Sequence, residues 1–334
     1  MHGFWNPGCD ASRRVCALRV AATRLPGLSP AAVHLTRRAL LRGAAGGAGL
    51  ALLGGCRPGA RATANPSPPP QEPPKPISAT LPFERIAYGK QPQQFGDLRL
   101  PSTRGTRAPV VVVIHGGFWS SAQGLDVMTA ACEALTYQGY ATWNLEYRCL
   151  GDPGGGWPGT FLDVGAGLDQ LRAMARRQPI DLRRLVTLGH SAGGQLALWG
   201  AGRRWIREGE LRDRRAIRVQ GAVSLAGLVD LRQAWDLGFD VVGKLLGGRP
   251  DEVPQRYDTA SPAALLPLGV PQVLLHGRND RVVPAQMSLD YQAVAVARGD
   301  QASLVSLDGV GHFELIEPET AGWAPVVEAV RQLC

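Results

Sequence analysis

The sequence predicts one α/β domain built on a doubly wound, mostly parallel sheet, with helices on both faces and a short cap segment. Two observations predict it. Short apolar runs rich in β-branched residues alternate with helix-like stretches from Val110 onward. Those runs are apolar at successive positions rather than at every second one, which is the pattern of strands buried on both faces. Such sheets keep their sites at the carboxyl ends of the strands.

Val110–Ile114 is a continuous β-branched run bounded by Pro109 and, just beyond it, a glycine pair. Ala141–Leu145, Leu185–Leu188, Val219–Leu225, Gln272–Leu275 and Ser303–Leu307 are the other expected strands. Helices are expected over Val127–Tyr137, Phe161–Arg177, Gly194–Arg203, Ala285–Arg298 and Pro325–Leu333. The last opens with proline, which a first helical position tolerates. Leu228–Leu266 breaks the alternation and is expected to form the cap over the carboxyl edge of the sheet.

Everything before residue 78 reads differently. From Thr36 the chain runs T-R-R-A-L-L-R, then apolar and small from Gly43 to Leu53, then Gly54-Gly55-Cys56. Paired arginines, a short apolar stretch and small residues before a break are the parts of an export signal. The apolar run is far short of the roughly 20 residues that span a bilayer. Arg37-Arg38 resembles a twin-arginine translocation signal, and Leu53-Gly54-Gly55-Cys56 resembles a bacterial lipobox. That resemblance implies a lipidated Cys56 as first mature residue, with the domain tethered to a membrane in the cell envelope, facing the periplasm or exterior. Ordinary cleavage nearby is the alternative. Residues 1–32 match no part of a signal, and translation is expected to begin near Val33. Residues 57–77 are dense in proline, which favours an extended, semi-rigid polyproline spacer. The expected organisation is a leader over 1–56, a linker over 57–77 and a catalytic domain over 78–334.

The formal charge of +8 invites a nucleic-acid reading. Residues 1–55 hold seven arginines and one acid, so the leader carries +6 of it and no nucleic-acid surface is indicated. Hydrophobic residues at 45% and charged residues at 19% make a globular composition. Six cysteines are too few for a disulfide scaffold. Cys132, Cys149 and Cys334 fall in the domain, where one disulfide is allowed and none is assigned.

Leu185 to Gly194 reads L-V-T-L-G-H-S-A-G-G. In a chain with 42 glycines a bare G-x-S-x-G is weak, but here an apolar strand enters it and a helix leaves it. The glycines permit a sharp turn that holds the Ser191 side chain at the tip of the strand. The amide of Ala192, at the start of the following helix, then points at a developing oxyanion. A second set of donors is expected from Gly116-Gly117 in His115-Gly116-Gly117-Phe118-Trp119, directly after another strand. Adjacent glycines let backbone amides approach a substrate without side chains in the way. His115 itself is read as a loop anchor.

Serine needs a base to take its proton and a carboxylate to orient that base. Of six histidines only His276 and His312 follow Ser191. His276 ends an apolar strand and is expected to pack or anchor a loop. His312, in the glycine-rich G-V-G-H-F, is the expected base. Asp280, just beyond the strand Gln272–Leu275, is the expected acid, ahead of Asp230, Asp258 and Asp308.

With those residues in place, the chain from about Thr80 onward resembles the esterase/lipase branch of the α/β-hydrolases. Within it the chain is similar to bacterial carboxylesterase-like proteins carrying H-G-G-x-W, a group with feruloyl-esterase-like members and arylformamidases. The matching pieces are His115–Trp119, Gly189–Gly194, Asn279–Pro284 and Gly311–Phe313. The hormone-sensitive-lipase pattern has a third glycine where Phe118 stands. Asp163 also fits the family pattern and is read as structural. The resemblance implies hydrolysis of small-to-medium carboxylic esters through an acyl-enzyme on Ser191. No metal or cofactor is required, and no zinc-spaced cluster appears. An amidase, arylformamidase or peptidase with the same triad, and a non-catalytic binding protein on the scaffold, are the alternatives. Phe118, Trp119, His190, Trp235 and Phe239 are candidates to line the substrate pocket, with a place in the core as the alternative for each.

Overall fold

The computed structural model describes residues 81–102 and 106–334. The leader, Cys56 and the proline-rich linker lie outside the described residues, so those expectations stand as readings of the sequence.

Eight strands form one sheet: β1 (Glu84–Ala87), β2 (Phe95–Arg99), β3 (Ala108–Ile114), β4 (Ala141–Leu145), β5 (Ile180–His190), β6 (Gly221–Leu225), β7 (Gln272–Gly277) and β8 (Ala302–Leu307). Their order is β1-β2-β4-β3-β5-β6-β7-β8; β2 pairs antiparallel with both β1 and β4, and the remaining pairs are parallel. This is the α/β-hydrolase fold. Each expected strand is present. The register explains why β3 is apolar throughout: Val110, Val112 and Ile114 enter the core on one face, Val111 and Val113 the core on the other. All five are fully buried, each worth about 1.5–3 kcal/mol relative to exposure.

Five of the helices match expectation to within a few residues: α1 (Thr129–Tyr137), α2 (Gly159–Met174), α3 (Ala192–Gly202), α8 (Ala285–Ala297) and α9 (Trp323–Leu333). A short 3-10 turn, Leu125–Met128, leads into α1. α9 starts two residues before Pro325, so the proline sits third; N–H groups of a first turn lack intrahelical acceptors, and its absence there costs little. Between β6 and β7 the chain forms α4 (Leu231–Asp236), α5 (Val241–Leu246), α6 (Pro254–Ala260) and α7 (Pro262–Leu265). This segment packs against α3, where Gln195 Nε2 donates to Ala260 O and Trp199 Nε1 to Thr259 O. None of its residues lines the cleft described below, although Phe239 stacks on Phe118 at its wall. Cys132, Cys149 and Cys334 are free thiols.

Candidate active site

The sheet register decides which motifs meet. Ile114 pairs with Gly189 and with Leu145, so His115, His190 and Glu146 leave the carboxyl edge side by side. His190 in turn pairs with Leu225 of β6.

Ser191 stands between β5 and α3 with φ 56° and ψ −121°, a conformation that costs a non-glycine residue about 1–3 kcal/mol. Close packing holds it there. A β-carbon on Gly189 would lie 2.0 Å from the oxygen of Gly193, and one on Gly193 would lie 2.1 Å from that of Ile114. Both glycines of G-H-S-A-G are therefore required by backbone approach. The Ser191 amide donates to Leu225 O at 2.8 Å, tying the turn to β6. Ala192 opens α3, so its amide is one of the first-turn donors that have no intrahelical partner.

The segment after β3 is strained in the same way: Gly117, Phe118 and Trp119 have φ of 101°, 53° and 55°. Several bonds hold it. The ring nitrogens of His115 face Gly116 O and Glu146 Oε1, each at 2.9 Å. Glu146 also accepts from the amides of Leu125 and Tyr147, and Tyr147 Oη donates to His115 O. Burial alone would raise the Glu146 pKa; His115 and those amides outweigh it and hold the carboxyl below its usual value. Leu150 N donates to Trp119 O and Ser121 N to Leu150 O.

Adjacent parallel strands β7 and β8 bring two further loops together, and Asn279 N donates to Val310 O across them. Asp280 is saturated with donors. Its Oδ1 accepts from the amides of Val282 and Val283 at 2.8 and 2.9 Å. Its Oδ2 lies 2.7 Å from His312 Nδ1 and 3.2 Å from His276 Nε2. Desolvation pushes the Asp280 pKa up, but the hydrogen bonds from His276 and His312 and the His312 charge prevail, holding it well below the carboxylate range. The second imidazole was not foreseen as a partner of the acid. Ser288 Oγ, 2.7 Å from His276 Nδ1, orients that ring.

The rival acids are otherwise engaged. Asp230 caps α4 through the amides of Arg232 and Gln233, Asp258 pairs with Arg232, and Asp308 is an exposed turn residue paired with Arg278. Asp163 is buried, held bidentately by Arg148 and bonded to Gln94, away from the chemistry.

Ser191, His312, His190, Gly116, Gly117 and Phe118 all line one cleft of about 230 Å³. Trp119 does not: it is fully buried, with Nε1 donating to Gln195 Oε1, and belongs to the core. Trp235 and Phe239 pack against the same core, and Phe239 reaches the site only by stacking on Phe118 with ring centroids 6.0 Å apart. Val127, Val282 and Ile316, which no local pattern marks as lining a site, complete the apolar wall with Phe313. Among the described residues no group of three His, Cys, Asp or Glu side chains is arranged to hold a metal.

The BD-FAE family model matches residues 97–294, which contain Ser191 and Asp280. The chain belongs to the BD-FAE family. His312 lies beyond the matched residues of this BD-FAE chain, and its place beside Asp280 rests on the geometry. Esterase LipC of Mycobacterium tuberculosis is 27% identical over 74% of the chain and 63% of its own length. Probable carboxylic ester hydrolase LipM of the same organism is 30% identical over 66% of the chain and 49% of its own length. The chain thus spans about half to under two thirds of these relatives. A truncated carbohydrate esterase from gut microbiota shares the fold with a TM-score of 0.68 at 21% identity, over 77% of this chain and 98% of that one.

Proposed function

We propose that the chain is a serine hydrolase that cleaves small-molecule carboxylic esters through an acyl-enzyme on Ser191. The observation that carries the reading is Ser191, held in a strained turn, in one cleft with His312, whose Nδ1 lies 2.7 Å from Asp280. The names of LipC and LipM support the ester bond as target.

In this reading His312 Nε2 takes the Ser191 proton as Oγ attacks the ester carbonyl carbon. Asp280 holds the ring with Nδ1 protonated and offsets the imidazolium charge. The amides of Ala192 and the Gly116-Gly117 loop stabilise the oxyanion, each donor worth about 10²–10³ in rate. The intermediate collapses by expelling the alkoxide, which takes the proton from His312. Water, deprotonated by the same imidazole, then attacks the acyl-enzyme and releases the acid.

The test is hydrolysis of p-nitrophenyl esters from acetate to laurate by the wild type and by Ser191→Ala. Activity that collapses in the variant supports the reading. A folded wild type inert toward every ester, yet labelled by a fluorophosphonate, would turn it to amides.

The sequence of the leader supports export and lipidation at Cys56, with the domain held at a membrane in the cell envelope. The measurement is membrane fractionation of Cys56→Ser, which is expected to release the protein into the soluble fraction; full retention overturns the anchor.

A further inference from the structure

Besides His190, which hydrogen-bonds the backbone of His312, the cleft holds two polar side chains that this mechanism does not use. Its wall is apolar through Phe118, Val127, Val282, Phe313 and Ile316. Ser120 and Gln123 also line it, and both come from one short segment. That segment is rigidly held. Gln123 N donates to Ser120 O, Ala122 N to Ser120 Oγ, and Ser120 bridges to Leu150.

The Gln123 side chain lies flat on the oxyanion loop. A β-carbon on Gly117 would meet Gln123 Oε1 at 2.6 Å and its Cβ at 2.9 Å. Its amide therefore lies beside the candidate oxyanion donors, half-buried, and among the described residues it has no hydrogen-bond partner. An amide in that position stays paired only while water reaches it. A wholly apolar substrate filling the cleft strips that water and leaves donor and acceptor unmet, whereas a substrate with its own polar group replaces it.

Resting on the ester-hydrolase reading, we propose that Gln123, assisted by Ser120, forms a polar subsite for a hydroxyl or carbonyl group on the substrate. The preferred substrates are then esters that carry a hydrogen-bonding group near the scissile carbonyl.

The experiment compares the full-length wild type with Gln123→Met, which keeps the length of the side chain and removes its polarity. Two matched ester pairs exchange methyl for hydroxyl: ethyl isovalerate with ethyl 3-hydroxybutyrate, and propyl acetate with 2-hydroxyethyl acetate. The readout is the ratio of kcat/KM within each pair. Differences in ester reactivity, and any general effect of the variant on the oxyanion loop, cancel when wild-type and variant ratios are compared. In at least one pair the preference for the hydroxylated ester is expected to drop by about 3- to 10-fold in the variant, the value of one neutral hydrogen bond. Ratios unchanged in both pairs overturn the subsite and leave the hydrolase reading intact. A folded wild type that hydrolyses none of the four esters, nor p-nitrophenyl acetate, overturns that reading and the subsite with it.

Discussion

The imidazole of His190 donates its Nε2–H to the backbone oxygen of His312 at 2.9 Å, joining the turn that carries Ser191 to the loop that carries its candidate base. The two residues are 122 positions apart, and their rings approach to 4.5 Å. His190 thus fixes the position of His312 while its own side chain is almost wholly buried.

That burial has a pH consequence. Desolvation, then the charge of His312, lowers the His190 pKa from 6.5 to about 3. Between those values the unfolded chain binds a proton that the folded chain refuses. Stability is complete above about pH 6.5 and falls as pH drops towards 3. His190→Gln keeps a donor for His312 O and removes the titration. Urea-unfolding midpoints measured from about pH 7 to 3.5 are expected to decline less steeply in the variant.

Asp308 stands close to His312 in the chain and Asp280 32 positions away, yet it is Asp280 whose carboxylate meets the His312 ring, while Asp308 pairs with Arg278. Asp280→Asn is expected to lower kcat by about 10⁴, because an amide there favours the wrong imidazole tautomer. Asp308→Asn alters an exposed ion pair and is expected to stay within about twofold. Equal losses in steady-state ester hydrolysis would overturn the assignment of the acid.

His276 and His312 share Oδ2 of Asp280. With His312, the hydrogen bond from His276 holds the Asp280 carboxyl down against its burial. His276→Phe removes that donor and is expected to cost about 1.5–3 kcal/mol of stability, the value of a hydrogen bond to a charged group, read from urea unfolding at about pH 7. An unchanged midpoint would overturn the role of His276 as a donor to the acid.

Gly193→Ala tests the turn. The new methyl would sit 2.1 Å from Ile114 O and 2.4 Å from His115 O, so backbone must move. The expected cost of about 1–3 kcal/mol corresponds to a Tm lower by about 2–4 °C per kcal/mol in a domain of this size. Hydrolysis is expected to vanish with it. Gly309→Ala, with φ 74° and open space around it, is expected to cost only the left-handed penalty of about 1–2 kcal/mol and to retain activity.

Legibility in the sequence followed burial. β3, β4 and the second half of β5 are apolar on both faces and read plainly. β1 is largely exposed, and β2 buries Asp97 and Arg99 beside Leu98, so neither carried a strand signal. The first half of β5, Ile180–Arg184, is polar and was missed for the same reason. Glu146 looked like any acid after a strand, and Gln195, which anchors Trp119, like any helical glutamine.

The sequence by itself determined the strand–helix alternation, the turn that needs glycine on both sides of His190-Ser191-Ala192, and the candidates Ser191, Asp280 and His312. Each of these is written in residues within a few positions of one another, where hydrophobic period and backbone freedom act. Only the tertiary structure decided which imidazoles reach Asp280, that Trp119 turns into the core and that Gln123 lies over Gly117. Those outcomes depend on strand order and on the register that sets Ile114 beside Gly189, and a local pattern does not encode contacts between segments distant in the chain.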